Sequence, residues 1–507
     1  MFQLYYFKIL KHQHFKELSL QFVDDEIDKI KGPYTTLIIG PNGTGKSQIL
    51  SAIVEVFNYL AVAKYQSGLK RPFNFNFELK YFLFGKEHHV DCSTGELIFS
   101  INQTRANLSE INLPEKFIAS SISLNDRYPL LNNRSKYINT HYEYLGVRSS
   151  GNSAYISYHI KKVVDSLSDS AMKLSTLPNI RMLFEKLSLQ PRLTISFKPG
   201  RRFSLKEGNS NNIFEIAKSE NSFSHYFQEF IKDTRSKSLD ERRLSTYERI
   251  LSDPNALKKA VSFLQTHIDK FKQKYLYKIR INYHLNFEKA NTLNDFANDS
   301  EILRTLRELE IFSVDKVNLT KEGTNFKFEQ ASSGEYHLLT SFLGIISKIE
   351  DNSLILIDEP EISLHPNWQM QFMDVLNRVF ENFTTCHFII ASHSHFLVSD
   401  LENEKSSILR LAMAKDSGTI ESELLRKDTF GWTPENILYN IFNVASVSNH
   451  YFEMDLRKLA RLISDKSKDF TAIRSYINKL ERFEILPEDP LNILLDQAKG
   501  YLKQYEV

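Results

Sequence analysis

Cysteine is scarce in this sequence, which has only Cys92 and Cys386 among its 507 residues. Two thiols so far apart in the chain exclude a disulfide framework and a thiolate metal site of the usual spacing. No stretch approaches the ~20 apolar residues that a membrane-spanning helix needs. The first residues also lack the apolar core and the small-residue cleavage site of a secretory signal. These absences predict a cytoplasmic protein with no membrane contact.

Net charge is also nearly absent, because 64 lysines and arginines oppose 62 aspartates and glutamates, for a formal charge of +2. A nucleic-acid surface would therefore have to be a local patch. The basic turn around Arg201 and Arg202 is a candidate, with a solvated loop as the alternative. Lys161 and Lys162 are expected to be ordinary surface charges on a helix. The composition, 42% hydrophobic and 25% charged, is that of a globular chain, and its length predicts two or three substructures.

The chain is organised around residues 35–50, where an apolar strand, a glycine-rich loop and the start of a helix follow one another. The loop fits the phosphate-binding pattern G-x-x-x-x-G-K-[ST]. Its residues are Gly40, Pro41, Asn42, Gly43, Thr44, Gly45, Lys46 and Ser47. Glycines let backbone N–H groups curl around a phosphate, and the N-terminus of the following helix favours the same anion. We expect Lys46 to reach the β- and γ-phosphates and the Ser47 hydroxyl to bind Mg²⁺, so the pattern predicts a nucleoside triphosphate site.

Two carboxylates follow a second apolar run, at residues 354–357. Asp358 is the expected second Mg²⁺ ligand at the carboxyl end of a buried strand. The side chain of Glu359 points elsewhere and could orient and polarise an attacking water. A third buried strand, at 386–391, is followed by His393, which could contact a γ-phosphate. These three residues are the predicted partners of the phosphate loop.

A second anion site is predicted where residues 331–339, ASSGEYHLL, open a helix. Ser332, Ser333 and Gly334 lie at the N-terminus of that helix, about twenty residues before Asp358. A helix N-terminus carries free N–H groups and a partial positive charge, which suit a phosphate. The residues are therefore candidates for a second contact to the nucleotide.

The periodicity of the sequence predicts an α/β fold. Residues 2–24 alternate as a hairpin, and residues 73–100 predict a small antiparallel sheet. The apolar runs beside the phosphate loop are typical of parallel strands covered on both faces. Four regions follow from these patterns: 1–145 and 301–415 as two halves of one α/β unit, 146–300 as a mainly helical insertion, and 416–507 as a helical C-terminal segment.

The order of these motifs resembles the ABC-type ATPases whose head is split by a long insertion, a group that includes the Rad50, RecF, SMC and OLD-like ATPases. The sequences DEPEISLHP and SHSHF look like the OLD/AAA15-like branch, in which His365 replaces the aspartate of transporters. The resemblance implies an ABC-ATPase head with a mixed sheet and an antiparallel first lobe. It also implies ATP and Mg²⁺ as cofactors and a homodimer or higher homo-oligomer, in which Ser333 acts on the ATP of the opposite protomer.

Two positions of the family pattern are not found in this sequence. The glutamine that usually follows the first-lobe strand is missing; the stretch offers Ser120, Ser121 or Asn125 instead, and Ser121 is the candidate for its Mg²⁺-sensing role. The residue that contacts adenine is unassigned, and Phe15 is a guess. The preference for ATP over GTP rests on the resemblance alone.

The C-terminal segment contains no D-x-D pair, so we expect no nuclease of the kind that OLD proteins carry. The whole chain is similar to the ATPase of Septu-type anti-phage systems, including those paired with retrons. That resemblance implies a separate HNH-type nuclease docked on the C-terminal helices and restrained while ATP is bound. The alternatives are a DNA-repair or DNA-maintenance ATPase of the RecF or Rad50 type, which binds duplex DNA, and a toxin whose helical tail is the effector.

Overall fold

A computed structural model describes most of the chain. The described residues are 1–24, 33–65, 73–123, 125–130, 141–148, 156–171, 173–200, 213–235, 241–272, 280–399, 401–414, 419–425, 427–429, 431–432, 434–442, 450–480 and 490–505. The predicted basic turn at Arg201 and Arg202 lies outside them. Among the described helices, none is long and apolar enough to cross a membrane.

The strands, in chain order, are β1 (Phe2–Leu10), β2 (Glu17–Gln21), β3 (Tyr34–Ile39), β4 (Asn76–Leu83), β5 (Lys86–Asp91), β6 (Ile98–Ile101), β7 (Thr104–Ala106), β8 (Phe117–Ser121), β9 (Tyr142–Tyr144), β10 (Arg192–Pro199), β11 (Ile281–Asn286), β12 (Phe312–Lys321), β13 (Thr324–Lys327), β14 (Leu354–Asp358), β15 (His387–Ser392), β16 (Ser406–Met413) and β17 (Ile420–Leu425).

The α-helices are α1 (Lys46–Ala63), α2 (Ile156–Ala171), α3 (Leu177–Lys186), α4 (Ile213–Ile216), α5 (Glu220–Arg235), α6 (Glu241–Leu251), α7 (Pro254–Lys272), α8 (Asn294–Glu308), α9 (Ser333–Lys348), α10 (Pro366–Val379), α11 (Pro434–Asn440), α12 (His450–Ser464), α13 (Phe470–Leu480) and α14 (Pro490–Tyr505). Short 3₁₀ turns lie at Leu174–Thr176, Ala290–Leu293, Phe328–Gln330 and His395–Val398.

A seven-stranded sheet forms the centre of the fold, in the order β17-β16-β3-β15-β14-β8-β9. All its pairs are parallel except β16 with β17, so the carboxyl ends of β3, β14, β15 and β8 meet at one edge. In register, Asp358 lies opposite Ala391 on one side and Ser121 on the other. The continuous apolar runs predicted buried parallel strands, and that prediction is confirmed because every residue of β3, β14 and β15 is buried.

An antiparallel six-stranded sheet, β2-β1-β4-β5-β6-β7, covers one face of the central sheet. Helix α1 lies between the two sheets, and the ring of Phe57 packs on Phe2, Tyr81 and Phe117 at centroid distances of 5.9, 5.5 and 6.1 Å. On the opposite face, Phe342 of α9 stacks on Phe380, which in turn packs on Phe388 of β15. The six-stranded sheet confirms the predicted N-terminal hairpin, which is β1 with β2, and the small antiparallel sheet predicted for residues 73–100.

The insertion, predicted to be mainly helical, also contains strands. Strands β11, β10, β12 and β13 form a separate four-stranded antiparallel sheet in that order. Its strands β12 and β13 fall in the region 301–415, which was predicted to belong wholly to the central unit. The difference arises because pairing with β10, more than a hundred residues earlier, decides to which sheet β12 belongs.

The insertion is also connected to α9 through charged side chains. Asp169 of α2 accepts from Arg304 of α8 at 2.6 Å and lies 3.1 Å from the Lys348 ammonium of α9. Asp165, one turn earlier on α2, pairs with Arg307 of α8. These ion pairs attach two helices of the insertion to the helix that follows the predicted second anion site.

The chain divides into two compact units, Met1–Phe430 and Gly431–Val507. Strand β17 therefore belongs to the first unit, although it falls within the segment 416–507 that the sequence pattern marked as helical. The described elements of the second unit are the helices α11 to α14. Its helices α12, α13 and α14 enclose a small core of Leu459, Ile473, Ile477, Leu480, Leu495, Ala498 and Leu502.

Candidate active site

The phosphate loop leaves the buried strand β3 at Gly40 and ends where α1 begins at Lys46. Gly43 and Gly45 have φ angles of 86° and 79°, in the left-handed region that favours glycine. Inside the loop, the Thr44 hydroxyl donates to the carbonyl of Pro41 at 2.9 Å. The local conformation therefore matches the strand, turn and helix that the sequence pattern predicts.

Phe15, from the turn between β1 and β2, packs against the phosphate loop at Gly45. Its ring is 2% exposed and stacks on His12 with a centroid distance of 5.1 Å. A Cβ atom placed on Gly45 would lie 2.4 Å from Phe15 Cζ, whereas a Cβ on Gly43 would meet nothing within 4 Å. The suggestion that Phe15 stacks on adenine is wrong, because its ring is buried and instead braces the loop.

Gly45→Ala is expected to lower the free energy of unfolding by about 2–5 kcal/mol, and Gly43→Ala by about 1–2 kcal/mol. Both variants place a side chain at positive φ, but only Gly45→Ala also collides with Phe15. Urea denaturation of the nucleotide-free protein measures both values, and Gly43→Ala serves as the matched control. Equal losses in the two variants would show that the contact with Phe15 does not constrain the loop.

Lys46 is buried at 4% exposure, and each of its three N–H donors has an acceptor nearby. The acceptors are the carbonyls of Gly40 and Pro41, at 2.7 and 3.3 Å, and Nδ1 of His393 at 3.1 Å. Burial lowers the pKa of Lys46 to about 8, and three nearby carboxylates, led by that of Glu359, act in the opposite direction. The ammonium is therefore charged at neutral pH, so Nδ1 of His393 accepts and Nε2 carries the proton.

Ser47 and Asp358 come together at the edge where β3 and β14 end. The Ser47 hydroxyl donates to Asp358 Oδ1 at 3.0 Å. Burial raises the pKa of Asp358 to about 7, although the bond from Ser47 acts to lower it. Neighbouring ligands of an octahedral Mg²⁺ at about 2.1 Å lie about 3 Å apart, so this pair fits two adjacent positions around the ion. Within the described residues, no cluster of three or more acidic, histidine or cysteine side chains offers a closed metal cage.

Glu359 follows Asp358 with a φ angle of 48°, a strained conformation for a residue with a side chain. Its N–H donates to the carbonyl of Ala391 at 2.9 Å, which fixes it beside β15. The carboxylate lies 3.4 Å from Nε2 of His393. Burial, followed by the charge of Lys46, lowers the pKa of His393, so the imidazole is neutral and bridges Lys46 and Glu359.

The predicted second anion site forms the N-terminus of α9. Ser332 is the N-cap, and its N–H and hydroxyl both donate to the Glu335 carboxylate, at 3.1 and 2.9 Å. Ser333 is exposed, and its hydroxyl donates to the carbonyl of Ser363 at 3.2 Å. Gly334 is buried and packs beside Trp368. Among the described contacts, no hydrogen bond joins these three residues to the phosphate loop of the same chain.

The loop that runs from Glu359 into α10 connects the two regions. His365 is exposed and serves as the N-cap of α10, where its Nδ1 accepts from the N–H of Asn367 at 3.4 Å. Ser363 in the same loop accepts from Ser333. The loop therefore touches the serine of the second anion site at one end and continues from Glu359 at the other.

One buried acid near this edge was not predicted from the sequence. Asp126 follows β8, and its carboxylate accepts from the Tyr144 hydroxyl at 2.6 Å and lies 3.3 Å from the Arg148 guanidinium. Burial raises the pKa of Asp126, and its charge also contributes to the raised pKa of Asp358. Ser121, the weak candidate for the Mg²⁺-sensing role, is buried beside Asp358 and accepts from the N–H of Ser123. An acidic residue in a polar loop gave no signal of this burial.

Beside the loop, a small cavity of about 130 Å³ opens between the β1–β2 turn and α1. His12 and His14 line one wall, and Gln48, Glu55 and Arg127 line the other. Gln48 and Glu55 lie on α1 within three turns of Lys46, so the cavity adjoins the phosphate loop. Its residues are the structural candidates for contact with a nucleotide base, which the sequence pattern left unassigned.

A phosphate loop that faces a carboxylate at the end of a parallel strand, with a histidine at the end of the next strand, defines the class of P-loop nucleoside triphosphatases. The chain belongs within that class to the AAA ATPase domain family AAA_15, whose model matches residues 12–398. This match confirms the resemblance to the OLD/AAA15-like group and supports ATPase activity.

Among known proteins, the chain is similar to the retron Vc95 probable ATPase of Vibrio cholerae serotype O1 biovar El Tor. The two are 22% identical over 410 residues, which cover 74% of this chain and 68% of that protein. Similar solved structures include an Smc head domain with an extended coiled coil, bound to the C-terminal domain of ScpA, from Pyrococcus furiosus. The match has 15% sequence identity and a TM-score of 0.33, and it covers 84% of this chain and 97% of that one. The SMC head domain from Thermotoga maritima matches at 13% identity, 84% and 99% coverage and a TM-score of 0.34.

Proposed function

We propose that two copies of this chain dimerise around ATP and Mg²⁺, and that the closed dimer restrains a separate HNH-type nuclease in anti-phage defence. The observation that carries the dimer is the exposure of Ser333. A serine at a helix N-terminus suits a phosphate, yet the Ser333 hydroxyl donates to the Ser363 carbonyl and, among the described contacts, to no residue of its own phosphate loop. A second copy related by two-fold symmetry can place that serine over the opposite nucleotide.

In this proposal, the residues of one chain have separate roles in hydrolysis. Lys46 exchanges His393 and two carbonyl acceptors for the β- and γ-phosphates when ATP enters. The hydroxyl of Ser47 and the carboxylate of Asp358 would hold Mg²⁺, whose charge would offset that of the phosphate oxygens. Glu359 orients and deprotonates the attacking water. His393 stays within hydrogen-bond reach of Glu359 and contacts the γ-phosphate with its Nε2 proton.

Support for the nuclease comes from the helical unit Gly431–Val507 and from the retron-associated relative. The unit has a small core of its own. Met454 and Ile493 are 40% and 63% exposed on that unit. In this proposal, both side chains belong to the surface that the nuclease covers. The relative is named for a retron, which supports a role in a defence system rather than in general metabolism.

Removal of ATP is expected to release the nuclease. The gene beside that of this chain is first checked for an HNH-type product, and the lack of one would count against the proposed partner. Where that nuclease is encoded, it is purified, mixed with the chain and ATP, and assayed on plasmid DNA before and after ATP is destroyed with apyrase. We expect at least about tenfold faster cleavage after apyrase, because the restrained state needs nucleotide-bound heads. The Lys46→Ala chain, which lacks the phosphate contact, should permit cleavage without apyrase.

Cleavage that does not respond to ATP would contradict the restraint.

A separate gel shift of the isolated chain tests the repair-type alternative. Duplex binding that falls by about 10³–10⁵ between about 50 and 200 mM salt would favour an ATPase that acts on DNA itself.

A further inference from the structure

Glu361 lies in the loop between β14 and α10, three positions after Asp358. Its Oε1 accepts a hydrogen bond from the backbone N–H of His393 at 2.6 Å. A carboxylate that accepts a backbone N–H forms one of the stronger hydrogen bonds in proteins. Glu361 therefore attaches the loop after β14 to the residue that begins the turn after β15.

The same loop is fixed at both sides of Glu361. Before it, the N–H of Glu359 donates to the carbonyl of Ala391 at 2.9 Å. After it, the N–H of Leu364 donates to the carbonyl of Glu361 at 3.0 Å. The backbone of Glu361 is thus held in a turn, and its side chain reaches across to His393 from a defined position.

The carboxylate is more costly than a purely structural link requires. Burial raises the pKa of Glu361, and the charge of Glu359 adds to that rise. Its Oε2 is buried and, among the described residues, has no hydrogen-bond partner. A neutral side chain could cap one N–H without that desolvation cost. What the position requires is therefore an oxygen that faces the His393 N–H, which a neutral side chain of the same shape can also present.

We propose that Glu361 is a positioning residue that sets where His393 stands between Lys46 and Glu359. The bond to the His393 N–H fixes the backbone from which the imidazole projects. The ring then places Nδ1 at 3.1 Å from the Lys46 ammonium and Nε2 at 3.4 Å from the Glu359 carboxylate. This inference rests on the proposed function, in which His393 contacts the γ-phosphate. Glu361 keeps the His393 ring in the position from which it makes that contact.

The test is a double-mutant cycle with Glu361→Ala, His393→Ala and the double variant. Glu361→Ala is expected to lower kcat by about ten- to a hundredfold, because a displaced imidazole loses its alignment with the γ-phosphate. In the His393→Ala background, Glu361→Ala should lower kcat by less than about twofold, since no imidazole remains to be positioned. Glu361→Gln keeps an oxygen for the His393 N–H and should stay within about threefold of the unmodified protein.

A second readout does not depend on hydrolysis. The ratio of the Kd for ADP to the Kd for ATPγS reports the γ-phosphate contact, and it should fall by the same factor in Glu361→Ala, His393→Ala and the double variant. Thermal unfolding of each variant, with the exposed Glu381→Ala as the matched control, checks that the fold is intact. If the unmodified protein bound ATPγS but did not hydrolyse ATP, the proposed function would be refuted. The ratio of the two Kd values would still test the role of Glu361.

Three outcomes would overturn the assignment. Glu361→Ala could lower kcat by the same factor with alanine at position 393 as with histidine there. The ADP-to-ATPγS ratio could stay unchanged in Glu361→Ala. Glu361→Gln could be as slow as Glu361→Ala, which would mean that the oxygen facing the His393 N–H is not what matters.

Discussion

Glu359→Gln is expected to lower the rate of ATP hydrolysis by about 10²- to 10⁴-fold, with ATP affinity within about threefold of that of the unmodified protein. Glutamine has nearly the same size as glutamate but cannot take a proton from water. The contacts of Lys46, and the bond between Ser47 and Asp358, do not involve the Glu359 side chain. The backbone bond from Glu359 to Ala391 also survives the change. Phosphate release measures the rate, and equilibrium titration with labelled ATP measures the affinity.

The same variant should accumulate as an ATP-bound dimer, because hydrolysis is the step that reopens the heads. Light scattering coupled to gel filtration should report twice the 59.1 kDa of one chain when ATP and Mg²⁺ are present. Lys46→Ala, treated in the same way, should remain a single chain, since the ATP that joins the heads is not held. Hydrolysis by Glu359→Gln at the unmodified rate would remove Glu359 from the role of general base.

The parts of the site that the sequence predicted well are those in which a short stretch contains the whole signal. Gly43 and Gly45 occupy backbone conformations that favour glycine, and Lys46 begins a helix, so the loop can be found from spacing alone. Asp358 follows an uninterrupted apolar run, and such a run predicts a buried strand wherever it lies in the chain. In these cases the local pattern and the tertiary structure agree.

The parts that were missed depend on contacts between distant residues. Lys162 was expected on the surface beside Lys161, but its ammonium instead donates to the Gly146 carbonyl and lies 5.5 Å from the centre of the Tyr144 ring. Burial lowers the pKa of Lys162 to about 8. Strand β12 likewise pairs with β10 rather than joining the central sheet. Helical or alternating periodicity does not say which partner an element packs against, and this explains both differences.

A mixture of two inactive variants is expected to recover activity if the site is shared between chains. Lys46→Ala removes the phosphate contact, and Ser333→Arg blocks the second anion site with a bulky side chain. Each variant alone should lose about 10²-fold or more of the hydrolysis rate. Ser333 is exposed and forms only one hydrogen bond with the neighbouring loop, to Ser363, so the larger side chain should not disturb the fold.

In a symmetric dimer, one site of each mixed pair combines the intact phosphate loop of the Ser333→Arg chain with the intact serine of the Lys46→Ala chain. Each mixed pair keeps one intact site of its two, so about a quarter of the unmodified rate should return if half of the chains are in mixed pairs and the sites act independently. Phosphate release from an equimolar mixture, compared with each variant alone at the same total concentration, measures this recovery. If Ser333 acted within its own chain, every chain in the mixture would keep one defect and no activity would return. Full activity of Ser333→Arg alone would instead exclude the serine from the site.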